Sequence, residues 1–258
     1  MWPIPVKAVP VLTQLTRGLP RLLGTNLVGL YAYGSLLDSG FDPARSDIDC
    51  IAVTERALDE AAFERLGAWL TDAAAEEPWF VRLQMPVLIK RNVLVEDRAA
   101  CLYQFGVLSR SGSDGNPIIW MDFFWRGRTL LGPDPESFVP KITAEMLHQA
   151  LVRELGYLRE EIVGKPESEW RDVPSYRGYA VLTLCRILYS SSTGEITSKP
   201  LAAAWALDRT PTEWHSLIRR ALAVDENSQL QDLPLSRIGA LIGYVQGQLD
   251  RETRRQAR

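Results

Sequence analysis

Residues 27–33 form an apolar run that stops at Gly34-Ser35, and residues 47–54 open Asp47-Ile48-Asp49 before turning apolar in their turn. Apolar runs of this length, separated by a segment containing Gly40 and Pro43, predict strand, loop, strand. Strand pleating places residues two apart on one face. Asp47 and Asp49 therefore project together, while Ile48, Cys50 and Ala52 turn toward a core. Two carboxylates at a strand end suit magnesium, which takes few protein ligands and fills its octahedron with water and phosphate oxygens. Gly34 lets the backbone approach a triphosphate closely, and Ser35 adds an N–H and a hydroxyl as donors. The chemistry such a set supports is phosphoryl or nucleotidyl transfer. Taken separately, an Asp-x-Asp pair and a Gly-Ser dipeptide are common in ordinary loops, so only their combination in one strand-loop-strand frame is specific.

The chain of 258 residues, 46% hydrophobic, is long enough for one large or two modest domains with a real core. Its 29 basic and 32 acidic residues give a net charge of −3. That balance carries no bias toward nucleic acid and suits a cationic small substrate better. Cys50, Cys101 and Cys185 are odd in number and widely spaced, which fits buried free thiols rather than a disulfide framework or a zinc site. No apolar stretch of about 18 residues and no signal-like leader is present, so a cytoplasmic protein without membrane contact is expected. His148 and His215 stand apart from any partner motif and are expected at the surface or its boundary.

In chain order, residues 6–23 and 58–75 carry apolar positions at helical spacing, and residues 81–90 read as a third strand. On that strand Arg82, Gln84 and Pro86 share one face, with Leu83, Met85 and Val87 on the other. Residues 92–140 are the least regular part. Within them residues 109–117 read as a connecting loop, with a loop over the site as the alternative, and residues 118–125 form an aromatic run of the kind usually found in a core and less often lining a pocket for a sugar or planar ligand. Gly132-Pro133-Asp134-Pro135 marks a composition shift, so domains are expected at 1–135 and 136–258. Beyond it, Leu147, Leu151, Leu155, Leu158 and Ile162 recur at helical spacing, with further helices expected at 178–192, 199–208, 213–224 and 235–254. The fold class is thus an α/β N-terminal domain, a small mixed sheet with helices, followed by an all-α helical bundle.

The Gly34-Ser35 and Asp47-Ile48-Asp49 signature resembles that of the DNA polymerase β-like nucleotidyltransferases. A carboxylate on the third strand, ligating metal or acting as general base, is usual there, and Gln84 holds that place here. Glutamine accepts hydrogen bonds but takes up no proton, and a positioned base is worth roughly 10²–10⁴-fold in rate. Three explanations stand. The base comes from elsewhere, with Glu96, Asp97, Asp122 and Glu154 as candidates; the enzyme is slow; or the site binds nucleotide without turnover.

The second half has its own likeness. The helix containing Ala180-Val181-Leu182-Thr183-Leu184-Cys185-Arg186, then Thr193-Gly194-Glu195-Ile196-Thr197-Ser198-Lys199, then Ala203-Ala204-Trp205-Ala206-Leu207 and Arg209, resembles the helical domain of the streptomycin and spectinomycin adenylyltransferases. The resemblance implies that Gly34, Ser35, Ser46, Asp47 and Asp49 bind ATP and Mg2+, and that Lys199 reaches the triphosphate. It implies a nucleotide site in the cleft between the domains and AMP transfer to a hydroxyl of an aminoglycoside or similar small polar acceptor. The alternative is a nucleotide-binding regulator or degenerate enzyme. Trp170, Asp172 and Tyr176 fall where the family meets its drug; Tyr176 replaces an expected carboxylate, and Arg171 and Arg177 lie nearby as potential repellents of a cation. No basic stripe favours an RNA acceptor, and a monomer or weak dimer is expected.

Overall fold

A computed structural model of the chain describes residues 4–38, 41–43, 46–95, 97–110, 115–224 and 228–256, without the side chains of Trp170 and of residues 253–256. It divides into two compact units, Met1–Ile142 and Thr143–Arg258. The first is built on a six-stranded sheet of β1 (Leu27–Ala32), β2 (Ile48–Thr54), β3 (Leu83–Ile89), β4 (Cys101–Gln104), β5 (Val107–Ser109) and β6 (Arg128–Leu131), in the order β5-β4-β3-β2-β1-β6. Only β2 and β3 run parallel, joined over helix α2 (Glu60–Glu76), and the other pairs are antiparallel.

Alternation decides what each face buries. Leu30, Ala32, Ile48, Cys50, Ala52, Leu83, Met85 and Val87 join α1 (Val9–Leu23) and α2 in one core, to which α1 contributes Val11, Leu12, Leu15 and Leu19. The opposite parity carries Tyr31, which packs under α3 (Pro117–Arg126) at 5.8 Å from Trp120 and 5.5 Å from Phe123, ring centre to ring centre. Phe138 closes the cluster at 5.9 Å from Trp120. The cluster thus buries Trp120 and Phe123 of the aromatic run, while Phe124 and Trp125 stay exposed. Its polar handles are satisfied, Trp120 Nε1 donating to Val93 O at 2.9 Å and Tyr31 O–H to Pro133 O at 3.0 Å.

The stretch expected to be irregular holds three strands and α3. Strands of three or four residues are too short to show alternation. The loop expected at 109–117 falls partly outside the described residues. All three cysteines are free and buried, and burial pushes the Cys185 thiol up to about 12 and those of Cys50 and Cys101 upward as well. None is a nucleophile at neutral pH. Among the described residues, no helix is long and apolar enough to cross a membrane.

The second unit is helical: α4 (Ala144–Arg159), which runs on into a π turn at Glu160–Gly164, α5 (Pro174–Thr193), α6 (Lys199–Arg209), α7 (His215–Leu222) and α8 (Leu235–Gln256). Helix α5 packs against α4, α6, α7 and α8 and is buried nearly all round, through Ala180, Val181, Leu184, Cys185, Ile187 and Leu188. His215 lies half-buried beside Thr210 O at 3.0 Å, and His148 is likewise at the boundary.

Arg177 overturns part of the expectation about repulsion. Its guanidinium is turned inward, only 6% exposed, donating to Leu230 O at 2.9 Å, Leu233 O at 3.0 Å and Arg171 O. It ties the segments before α5 and α8 to the bundle, its charge spent on carbonyl dipoles instead of facing a ligand. Replacing Arg177 with Met strands those carbonyls in a buried setting and is expected to lower the unfolding free energy by about 3 kcal/mol. A urea midpoint essentially equal to wild type would contradict that assignment.

Candidate nucleotide site

The site starts where β1 ends. Tyr33 N–H donates to Asp49 O at 3.1 Å, tying the last residue before the turn to the start of β2. The next residue, Gly34, has φ of +75°, and a Cβ built on it would overlap Asp49 Oδ2. Glycine is required twice over, by backbone conformation and by the carboxylate lying against it. A 3₁₀ turn, Gly34–Leu37, follows; Leu36 and Leu37 are buried and hold it down, leaving Ser35 half-buried.

The turn closes at Asp38, whose N–H donates to Ser35 O at 3.2 Å. The Asp38 carboxylate pairs with Arg126 at the end of α3, and Arg126 Nε also binds Asp122 Oδ1 at 2.9 Å. The Arg126 side chain is 12% exposed, so this pairing is shielded from water far more than a surface ion pair. It bolts the Gly-Ser turn to the helix above the sheet. Nothing in the sequence marks Asp38, and Asp122 and Arg126 show only the spacing of a helical pair.

On the other side of the loop, Ser46 N–H donates to Asp42 O at 2.7 Å and Asp42 N–H donates to Ser46 Oγ at 2.9 Å. The Ser46 hydroxyl thus accepts a structural bond, and its own proton can be donated to a further acceptor. Arg82 donates to Ser46 O at 3.3 Å while lying 5.4 Å over the Trp79 ring. Asp47 is exposed, Asp49 half-buried and Ile48 between them fully buried, as alternation requires. Strand β2 begins at Ile48, so Asp47 is the residue just before it.

Gln84 stands opposite Asp49 in the parallel register of β2 and β3. With Asp47, Arg82, Gln104 and Phe105 it lines a small concavity. Among the described residues no group of three His, Cys, Asp or Glu side chains comes together. Two carboxylates beside a glycine cradle that a Cβ would fill fit a magnesium ion completed by phosphate oxygens and water.

The other base candidates are placed elsewhere. Asp122 is held by Arg126. Hydrogen bonds from the Asn92 side chain and the Ala99 N–H hold the Asp97 carboxyl below its usual range. Glu154 lies on α4, in the helical unit, and Glu96 is outside the described residues. In the helical unit Lys199 opens α6, its ammonium 4.2 Å above the Tyr179 ring. Asp172 is exposed and Tyr176 half-buried in the first turn of α5, while the Trp170 side chain is outside the description.

A glycine–serine turn closed onto paired aspartates, on a short mixed sheet followed by a helical domain, is the architecture of a nucleotidyltransferase. Residues 137–247 match the family model for the aminoglycoside adenylyltransferase C-terminal domain. An aminoglycoside (3'') (9) adenylyltransferase of Escherichia coli is 27% identical, over 92% of this chain and 93% of its own. A spectinomycin 9-adenylyltransferase of Staphylococcus aureus is 24% identical, over 89% and 90%. The crystal structure of a spectinomycin adenyltransferase from an Enterococcus, solved with ATP and spectinomycin, superposes with a TM-score of 0.70 at 18% identity, over 94% of this chain and 98% of that one. The helical half of this chain thus matches the C-terminal domain of aminoglycoside adenylyltransferases, and nearly the whole chain is similar to such enzymes.

The Asp38–Arg126–Asp122 group yields a stability prediction. Arg126→Met leaves two shielded carboxylates without their cation and is expected to cost about 3 kcal/mol. Adding Asp122→Leu to that variant should recover part of the loss. Urea denaturation of the wild type and both variants reads this directly, and equal costs for the two variants would rule out coupling between the groups.

Proposed function

We propose that this chain transfers AMP from ATP to a hydroxyl of an aminoglycoside or similar small polar acceptor, with Mg2+ as cofactor. The observation that carries this reading is the approach of Gly34 to Asp49, a contact only glycine permits, with Asp47 exposed immediately before β2. The match of residues 137–247 to the aminoglycoside adenylyltransferase C-terminal domain, and the likeness to the Escherichia coli enzyme, support the choice of AMP donor and acceptor class.

In this reading the Gly34 and Ser35 amides and the Ser35 and Ser46 hydroxyls bind phosphate oxygens. Lys199 provides a compact cation for the triphosphate tail. Asp47 and Asp49 hold the metal, which when bound neutralises phosphate charge. The turn clamped by Arg126 keeps the α-phosphate fixed while the acceptor hydroxyl attacks in line, its proton passing to solvent at this exposed site, and pyrophosphate departs as the P–O bond to it breaks. Gln84 accepts a hydrogen bond from the attacking hydroxyl and orients it, but takes no proton. Asp172, Tyr176 and Trp170 are assigned to the acceptor. Inward-turned Arg177 removes one objection to a cationic compound there.

Gln84 also favours a second reading, a protein that binds ATP without transferring AMP, because it stands where the nucleotidyltransferase resemblance implies a carboxylate. Pyrophosphate release from ATP and magnesium, measured over a panel including streptomycin and spectinomycin, separates the two. Release dependent on one compound, absent from an Asp47→Ala, Asp49→Ala variant, is the expected result; silence across the panel with ATP still bound by calorimetry would favour the second. Gln84→Glu should raise a measurable rate by about 10²-fold or more, and an unchanged rate would argue against this position as the missing base. Gly34→Ala should remain folded by circular dichroism yet lose transfer by about 10²-fold, since displacements near 1 Å have that effect.

A further inference from the structure

The hairpin joining β4 to β5 turns on Phe105 and Gly106, with φ of 53° and 79°. Two successive positive-φ residues are what a tight hairpin turn demands, and Asn-Gly or Asp-Gly meets the demand with least strain. Phe105 is the sole non-glycine residue with positive φ among the described residues. Left-handed backbone disfavours a residue with a Cβ. The ring is no core residue either, being 65% exposed. Neither turn geometry nor burial selects phenylalanine here, and backbone strain of this sort clusters at ligand sites.

Its position says which ligand. Gly34 and Ser35 follow β1, Asp47 precedes and Asp49 begins β2, Gln84 lies on β3, and Gln104 ends β4 with Phe105 just after it, in neighbouring order across the sheet. The aspartates thus separate the Gly-Ser turn on one side from Gln84, Gln104 and Phe105 on the other. Resting on the transfer reading above, in which the Gly-Ser turn takes the phosphates, the far side receives the attacking hydroxyl. Phe105 lines the concavity there with Asp47, Gln84 and Gln104. We propose that Phe105 is the platform for the acceptor ring. A saturated, hydroxylated ring of the sugar or cyclitol class lays its C–H face on the phenyl ring, and the Gln84 and Gln104 amides meet its hydroxyls as both donors and acceptors. A nucleobase stacked on the same ring is the competing occupant.

Phe105→Asn removes the ring while suiting the turn, and Phe105→Trp keeps an aromatic face. Steady-state transfer with the panel's active compound should show an acceptor KM about ten-fold higher for Phe105→Asn, the scale of one lost aromatic contact. Its ATP KM should stay within about two-fold and its thermal midpoint at or above wild type, since Asn tolerates the left-handed region. Phe105→Trp should keep the acceptor KM near wild type. Calorimetric titration of spectinomycin, with a non-transferable ATP analogue present, gives a readout independent of turnover. An ATP KM that rises instead assigns the ring to the base and overturns the inference. So does an unchanged acceptor KM accompanied by a lowered thermal midpoint, which would make the ring a folding residue. If the wild type releases no pyrophosphate but binds spectinomycin, and Phe105→Asn weakens that binding, the platform stands while the transfer reading falls. Absence of both turnover and binding overturns both.

Discussion

The apposition of Gly34 and the Asp49 carboxylate is the constraint on which the geometry of the candidate site depends. It joins the end of one strand to the start of its antiparallel neighbour, and the Tyr33 N–H to Asp49 O bond fixes it with main chain. The relative position of the glycine turn and the carboxylate is therefore set by sheet register, which a flexible loop could not hold. The intervening segment only has to return the chain, and its own bonds between Asp42 and Ser46 are local.

That register is held from both faces. Beneath, the β1 and β2 side chains of one parity enter the core of α1 and α2. Above, Tyr31 anchors α3 through the Trp120 and Phe123 rings, and α3 in turn carries Arg126 out to Asp38. The aromatic cluster and the ion pair act on opposite ends of the same short stretch of chain. A helix that looks like simple core cover thereby becomes the support of the Gly-Ser turn, and disturbance of its rings should be felt at Ser35 as well as in stability.

What was legible in the sequence follows from length and periodicity. Strands β1 to β3, helices α1 and α2 and the helical second half have enough residues for a pattern to emerge, and Asp47, Ile48 and Asp49 point as their spacing requires. Strands β4 to β6 have three or four residues each and carry no readable alternation. Their hairpin was further hidden because its turn uses Phe-Gly where the usual signal is Asn-Gly or Asp-Gly. Arg126 and Arg177 were opaque for a different reason. Their partners, Asp38 in one case and the carbonyls of Leu230 and Leu233 in the other, are distant in sequence, and a charged residue destined for burial looks like any surface arginine.

Gln84 ties chemistry to selectivity. A third carboxylate opposite Asp49 would add like charge to a pair already crowded, and each such charge makes its neighbours harder to ionise. The amide spares the site that repulsion and leaves it less dependent on cations to hold its shape. It also gives up the means of taking a proton. With Gln104 on the adjacent strand, the far side of the aspartates adds, beside the Arg82 guanidinium, two neutral amides that both donate and accept, which is the chemistry of reading hydroxyls. Buried polar groups left without partners penalise a ligand lacking the matching hydroxyl more strongly than any apolar pocket does. On the proposed reaction, then, the exchange of Glu for Gln moves the site along one axis. It lowers the rate at which any acceptor is deprotonated and shifts discrimination among acceptors from charge toward the placement of hydroxyls.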